Sequence, residues 1–261
     1  MCLIVFSFQN HEKYPLILAG NRDEFYKRPT KQAEFWEEKP DILAGKDLEK
    51  GGTWLGVNRG GNFAFLTNYR DINNIKDNAD SRGDIVISYL ESNLNVTQFI
   101  RDLDQNALNY NGFNLLAGNV NQLFHYSNKT RQYTEVKPGI HGISNALLNT
   151  SWPKTDFAKT EFSKIIADSD PDVDALFRLL QNRKRYPPEL LPETGLSEKM
   201  EIAVSSAFIE TEDYGTRCST LLFIDNAGKV TFIEKTHQPK PDGDDTVKYV
   251  FESNLKFKGS S

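Results

Sequence analysis

Two hydrophobic periods alternate along the chain. Residues 2–8 (CLIVFSF) and 15–20 (PLILAG) are apolar, β-rich runs separated by the polar stretch Gln9-Asn10-His11-Glu12-Lys13, a pattern that predicts a hairpin with Cys2 at its start. The second strand delivers Asn21-Arg22-Asp23-Glu24 at its exit. Antiparallel pairing returns that exit to the head of the first strand, so Arg22 and Asp23 are expected within reach of Cys2. Residues 52–57 and 62–68, joined through Asn58-Arg59-Gly60-Gly61, predict a second hairpin that leaves Asn68 at a strand end. The period then becomes helical. Ser81-Arg82-Gly83-Asp84 matches a capping box ahead of Ile85, Val86, Ile87, Tyr89 and Leu90, and a second helix is predicted over 96–108.

Strands are predicted again at 113–118, 122–126, 133–136 and 140–144, followed by helices at about 154–166 and 171–181. The second of these helices has Ser169 or Asp170 as cap and Pro171 at or near its first position. A proline-punctuated loop, 185–195, suits either a lid over a site or an inert surface segment. Strands at 203–209, 217–224 and 230–234 close the pattern. Alternation puts Arg217 and Cys218 on opposite faces. With Arg217 beside Cys2, Cys218 belongs to the packing layer and no Cys2–Cys218 pair is expected. This order of elements suggests an α+β protein of two packed sheets with helices outside, in one domain over residues 1–261.

Composition narrows the function classes. The formal charge of −5 argues against a nucleic-acid partner held through phosphates, and Arg183-Lys184-Arg185 is read as solvated surface. Two cysteines exclude a disulfide framework, no spacing suggests a metal site, and a reducing compartment is expected. The first apolar stretch is too short for a signal peptide or a membrane span, so the cytoplasm is the expected location. The 17 Phe and 10 Tyr supply large buried surfaces for a core. The four histidines, His11, His125, His141 and His237, show no ligand spacing.

Position 2 carries the most pointed chemistry. Removal of Met1 leaves a thiol and an α-amine on one residue, a nucleophile with its own base, since the amine titrates near ~8 and the thiol near ~8.5. A cysteine opening an apolar strand is also an ordinary core residue. Polar clusters at strand ends accompany it: Asn21-Arg22-Asp23-Glu24, Thr67-Asn68-Tyr69-Arg70, Ser144-Asn145 and Gly215-Thr216-Arg217. In an acyl-transfer site, Asn68 or Asn145 would donate to an oxyanion and Asp23 or Glu24 would hold the amine. Arg22 and Arg217 would favour the thiolate.

With Met1-Cys2, Gly20-Asn21-Arg22-Asp23-Glu24, Gly51-Gly52-Thr53-Trp54-Leu55-Gly56, Thr67-Asn68-Tyr69-Arg70, Ser144-Asn145 and Thr216-Arg217-Cys218-Ser219-Thr220 in this order, the chain resembles the transport-and-Golgi-organisation, or NRDE, family over nearly its whole length. That family in turn resembles the N-terminal nucleophile (Ntn) hydrolases of the penicillin V acylase and bile salt hydrolase type. The resemblance implies a four-layer αββα sandwich of two mainly antiparallel sheets. It implies Cys2, Arg22, Asp23, Asn68, Asn145 and Arg217 as the catalytic set, although the acylases space the pair as Arg-x-x-Asp and here Arg22 directly precedes Asp23. Glu24, Trp54 and Tyr69 are the residues expected to touch substrate, with Trp54 either core or pocket wall. Hydrolysis of a small amide or thioester needs no cofactor. The alternative that the resemblance implies is a non-catalytic protein that binds or carries haem or an acyl lipid, and a redox-sensing Cys2 is a third reading.

Overall fold

The structure is a computed structural model that describes residues 2–238 and 245–259. Six strands form one antiparallel sheet in the order β10 (Gly139–Ile143), β1 (Cys2–Phe8), β2 (Leu16–Phe25), β11 (Tyr214–Ile224), β12 (Lys229–Thr236), β13 (Thr246–Glu252). Seven strands form the other, also antiparallel, in sequence order. They are β3 (Thr30–Trp36), β4 (Lys39–Asp47), β5 (Leu55–Asn58), β6 (Phe63–Asn68), β7 (Phe113–Asn119), β8 (Gln122–Ser127) and β9 (Gln132–Glu135). The helices are α1 (Gly83–Glu91), α2 (Val96–Asn106), α3 (Pro153–Ile165), α4 (Val173–Leu180) and α5 (Glu198–Ala203).

Three apolar layers stack these elements. Ile4, Phe6, Phe8, Leu18, Leu222 and Phe232 of the first sheet meet Leu43, Val57, Phe63, Phe65 and Leu116 of the second. On the outer side of the first sheet, Leu3, Val5, Ile17 and Leu221 pack with Phe162, Leu176 and Leu180 of α3 and α4. Outside the second sheet, Ala64, Leu66, Leu115 and Ala117 pack with Ile85, Val86, Leu90 and Ile100 of α1 and α2. The result is the αββα sandwich. β1 is buried on both faces, which is why its sequence is a continuous apolar run instead of an alternation.

Several local expectations are corrected. β2 continues to Phe25, so Asn21-Arg22-Asp23-Glu24 lies inside the strand and not at its exit. α1 starts at Gly83 with Arg82 at the cap position and no side-chain cap, because Thr53 N–H donates to the Gly83 carbonyl and brings residues 52 and 83 into contact. α4 is capped by Asp172, whose carboxylate accepts from Asp174 and Ala175 N–H, and Pro171 lies outside the helix. Residues 204–209 form no strand, since both edges of β2 are occupied by β1 and β11. Their backbone is held instead by Asn21, whose amide donates to the carbonyls of Leu180 and Ala207.

Candidate functional site

Cys2 pairs with Arg22 across β1 and β2, and Arg22 pairs with Cys218 across β2 and β11. Directly paired residues point to one face, so the three side chains form a row facing the space between the sheets. That space opens into a cleft of about 330 Å³, lined among others by Cys2, Arg22, Asp23, Glu24, Thr53, Trp54, Asn68, Arg82, Arg217, Cys218 and Glu234. The volume lies within the range that small-molecule sites use.

The two thiols share a wall because of a bulge. The pairing of β11 with β2 slips between Thr216 and Cys218, leaving Arg217 as the extra residue, and this breaks the alternation that would have sent Cys218 to the packing layer. Both Arg217 and Cys218 line the cleft. Both cysteines are free, and two strand spacings separate them, roughly 9–10 Å, beyond the reach of a disulfide.

Burial pushes the Cys2 thiol up despite the opposing pull of Arg22, and the Asp23 backbone N–H hydrogen-bonds to it. Arg22 does pull toward the thiolate as expected, but burial outweighs it, and the guanidinium groups of Arg22 and Arg217 are engaged elsewhere. Arg22 donates to Asp47 at 3.0 Å, and Arg28 donates to the same carboxylate oxygen at 2.6 Å. Against the burial that would raise it, the hydrogen bond from Arg28 holds Asp47 below the usual carboxylate range. Arg217 is fully buried and donates to the carbonyls of Phe25, Arg28 and Gln238 and to Thr30 Oγ1. It clamps the turn between β2 and β3. Cys218 is pushed well up by burial and by Glu234 on β12. Glu234 itself is raised by burial while its Oε1 accepts from Ala33 N–H of the opposite sheet.

Asn68 lines the cleft, and no other described residue engages its side-chain amide. Asn145 does not line it. Its amide donates to the Asn68 carbonyl at 2.9 Å, its oxygen accepts from Ser144 Oγ, and Ser144 Oγ also bonds the Cys2 carbonyl at 2.9 Å. Asn145 thus supports Asn68 and the head of β1 instead of facing a ligand. Tyr69 also lies outside the cleft, with its ring against Gly112 and under Lys129. Trp54 is both wall and core: it lines the cleft and packs in the inter-sheet layer.

Asp23 and Glu24 separate by alternation. Asp23 is buried with its carboxylate accepting from Thr216 Oγ1 at 2.7 Å, whereas Glu24 lies further along the wall and accepts from Phe25 N–H. Asp23 is the carboxylate that acts electrostatically on the Cys2 sulfur.

None of the four histidines lines the cleft, and the sulfurs that line it are those of Cys2 and Cys218. No residue of the loop 185–195 lines the cleft; Leu191 and Pro192 border a small separate hollow with Arg70, Trp152 and Lys154.

The sequence pattern of the Transport and Golgi organisation 2 family matches residues 1–239. The chain belongs to this family. A homologue named Transport and Golgi organization protein 2 from Bos taurus is 35% identical over 257 residues, covering 90% of this chain and 93% of its own. Among solved structures, an N-acylethanolamine-hydrolyzing acid amidase orthologue from Caenorhabditis elegans is 11% identical with a TM-score of 0.44, over 85% of this chain and 92% of that one. A conjugated bile acid hydrolase variant from Clostridium perfringens is 9% identical with a TM-score of 0.49, over 100% of each. In this member of the Transport and Golgi organisation 2 family, the motif residues take two roles. Asn21 and Asn145 hold backbone, Cys2, Arg22, Trp54 and Asn68 border the cleft, and Arg217 does both.

Sequence reasoning missed Asp47, Arg82, Lys154 and Glu234, and placed Cys218 elsewhere. Lys154 had a readable signal: Pro153 marks the first turn of a helix, where the macrodipole disfavours a cation. Among the described residues, no helix is long and apolar enough to cross a membrane.

Proposed function

We propose that the chain is a cysteine hydrolase of the N-terminal nucleophile type, cleaving the amide or thioester bond of a small acyl compound. One observation carries this reading: the thiol at the head of β1 borders a ligand-sized cleft into which Asn68 brings an uncommitted amide. Met1 lies outside the described residues, and the mechanism requires its removal. Because burial raises the Cys2 thiol, the sulfur needs a base, and the freed α-amine is that base. The amine takes the thiol proton as sulfur adds to the carbonyl carbon. Asn68 N–H donates to the oxyanion, and the ammonium returns the proton to the leaving nitrogen or sulfur as its bond to carbon breaks. Water then attacks the thioester, giving its proton to the amine, and the acid departs as the thiol re-forms. Asp23 holds the amine and Trp54 forms the wall. No cofactor enters any step, and the reading assigns the protein to the reducing cytoplasm.

A carrier for an acyl lipid is the second reading. It is favoured by the raised Cys2 thiol and agrees with relatives named for transport and Golgi organisation. Intact mass analysis combined with a panel of acyl amides and acyl thioesters separates the two. The hydrolase predicts loss of Met1 and turnover that Cys2→Ala abolishes. Undiminished turnover in Cys2→Ala, or saturable acyl binding by a protein that turns over nothing in the panel, overturns it.

A further inference from the structure

The cleft is charged against the sign of the chain around it. Among the described residues, seven basic and five acidic side chains line it, whereas the whole chain has a formal charge of −5. Burial raises Asp23 and Glu234, which weakens the negative share further. Apart from the two cysteines, the apolar side chains that line it are those of Trp54, Leu66 and Ala79. Pockets for neutral, apolar ligands are lined predominantly by hydrophobic and aromatic side chains, so this wall is composed for a more polar one.

Most of these cations are already occupied. Arg22 and Arg28 share Asp47, Lys31 and Lys46 pair with Glu34 and Glu38 outside the cleft, and Arg217 holds the carbonyls of the turn between β2 and β3. Lys50 is exposed to solvent. Arg82 differs from all of them. It is half-buried and forms no ion pair among the described residues, and its Nη1 donates to the Gly112 carbonyl at 3.1 Å, which engages one of the five N–H donors of a guanidinium. Glu24 and Asp80 line the same cleft, yet neither pairs with it; Glu24 accepts from Phe25 N–H instead. The fold fixes where this group stands. Tyr69 N–H donates to the same Gly112 carbonyl at 2.8 Å, so Arg82 sits beside the backbone that carries Asn68, which Asn145 and Ser144 tie in turn to the Cys2 carbonyl. From the other side, the bond from Thr53 N–H to the Gly83 carbonyl pins the residue after Arg82 to the wall that bears Trp54.

We propose that the small acyl compound of the Cys2 site carries an anionic group, a carboxylate or a phosphate, and that Arg82 is the specificity-determining residue that holds it. The guanidinium edge not turned to Gly112 presents parallel N–H donors, the geometry that both anions accept in pairs. Asn68 is then left to the reacting carbonyl while Arg82, anchored on the neighbouring peptide, holds the far end of the same molecule. Neutral acyl compounds of equal size leave the guanidinium without a counter-charge and are discriminated against. The inference rests on the cleft being the substrate site of the proposed hydrolase, but its readout is anion recognition and not turnover: anion binding without hydrolysis sinks only the hydrolase reading, and hydrolysis without anion preference sinks only this one.

The test uses two thiol reagents of one shape, 3-maleimidopropionate and its neutral amide, with labelling at Cys2 followed by peptide mass spectrometry. The amide controls for access and thiol ionisation, and 2-mercaptoethanol gives the reference ratio of the two rates. In the unsubstituted protein the acid-to-amide ratio at Cys2 is expected to exceed the reference by at least about threefold, although the chain as a whole repels anions. A smaller ratio overturns the proposal, whether or not any variant folds. Arg82→Gln should return the ratio to the reference and Arg82→Lys, which keeps the charge without the fork, should keep part of it; a folded Arg82→Gln with an undiminished ratio overturns the assignment to Arg82. Succinate and inorganic phosphate are then added as competitors, and the one that slows the acid reagent at the lower concentration names the anion. Should Cys2 take neither reagent, calorimetric titration of the same two anions decides: saturable binding that Arg82→Gln weakens supports the proposal, and no binding of either up to about 10 mM overturns it.

Discussion

Breaking the Arg70–Glu201 pair should be among the most costly single changes to this fold. The two groups meet at 2.6 Å with side chains 5% and 8% exposed, so neither charge can turn to water when its partner is lost. Removing one partner of such a pair costs about 3–5 kcal/mol, chiefly from the charge left behind. Glu201→Gln keeps the shape and an acceptor for Thr194, so its penalty isolates the stranded guanidinium. In a chain of roughly this size each kcal/mol moves the melting temperature about 2–4 °C, which gives a fall of roughly 6–20 °C. Arg70→Met should cost a similar amount, because it strands Glu201 and takes a donor from Asn145. The double variant should cost clearly less than the sum of the two. Urea unfolding followed by tryptophan fluorescence measures all three. Single penalties below about 1 kcal/mol, the range of exposed pairs, together with additive behaviour, would refute the argument that this pair is sealed from solvent.

Asn68→Ala should lower kcat/KM on any acyl substrate that the protein turns over by about 10²–10³, with a folded spectrum retained; a loss under threefold would remove Asn68 from the oxyanion role. His125 is buried beside Asn114, and burial lowers its imidazole to about 4. Between about 4 and the unfolded value near 6.5 only the unfolded chain takes up the proton, so stability falls as pH drops through that window, by up to roughly 3 kcal/mol at its lower end. His125→Gln should flatten this decline in urea midpoints taken at pH 7 and pH 4.5, and an equal decline in both proteins counts against it. Gly52→Ala would set a Cβ 2.4 Å from the Gly83 carbonyl carbon, so α1 must shift or the variant lose about 1–3 kcal/mol; an unchanged midpoint with an unmoved cleft would contradict that crowding.

Much of the scaffold was legible because β1, β6, β7 and the apolar sides of α1 and α4 carry strong periods. β3, β4 and β13 were not. Their sequences mix Lys, Glu and Asp into every turn of the pattern, as strands at or near sheet edges do, and neighbours supply the pairing that the local sequence does not announce. The run 203–209 has strand-like composition, but both edges of β2, against which Asn21 holds it, are already taken. At the site, the register of β1 on β2 could be read and gave the nearness of Cys2 and Arg22. Asn145 could not be told from Asn68, since both sit at strand ends and only the packing of Ser144 under Cys2 turns one inward. The one-residue slip at Arg217 leaves no mark in composition.

That slip equips the protein with a built-in reference for thiol chemistry. Two sulfurs sit on the same wall and sample the same reagents, yet one is shackled to a buried acid while the other stands at the chain's beginning. The ratio of their labelling within a single sample cancels reagent decay and differences in access, so the reactivity of the leading cysteine can be tracked in lysates or whole cells without purifying anything.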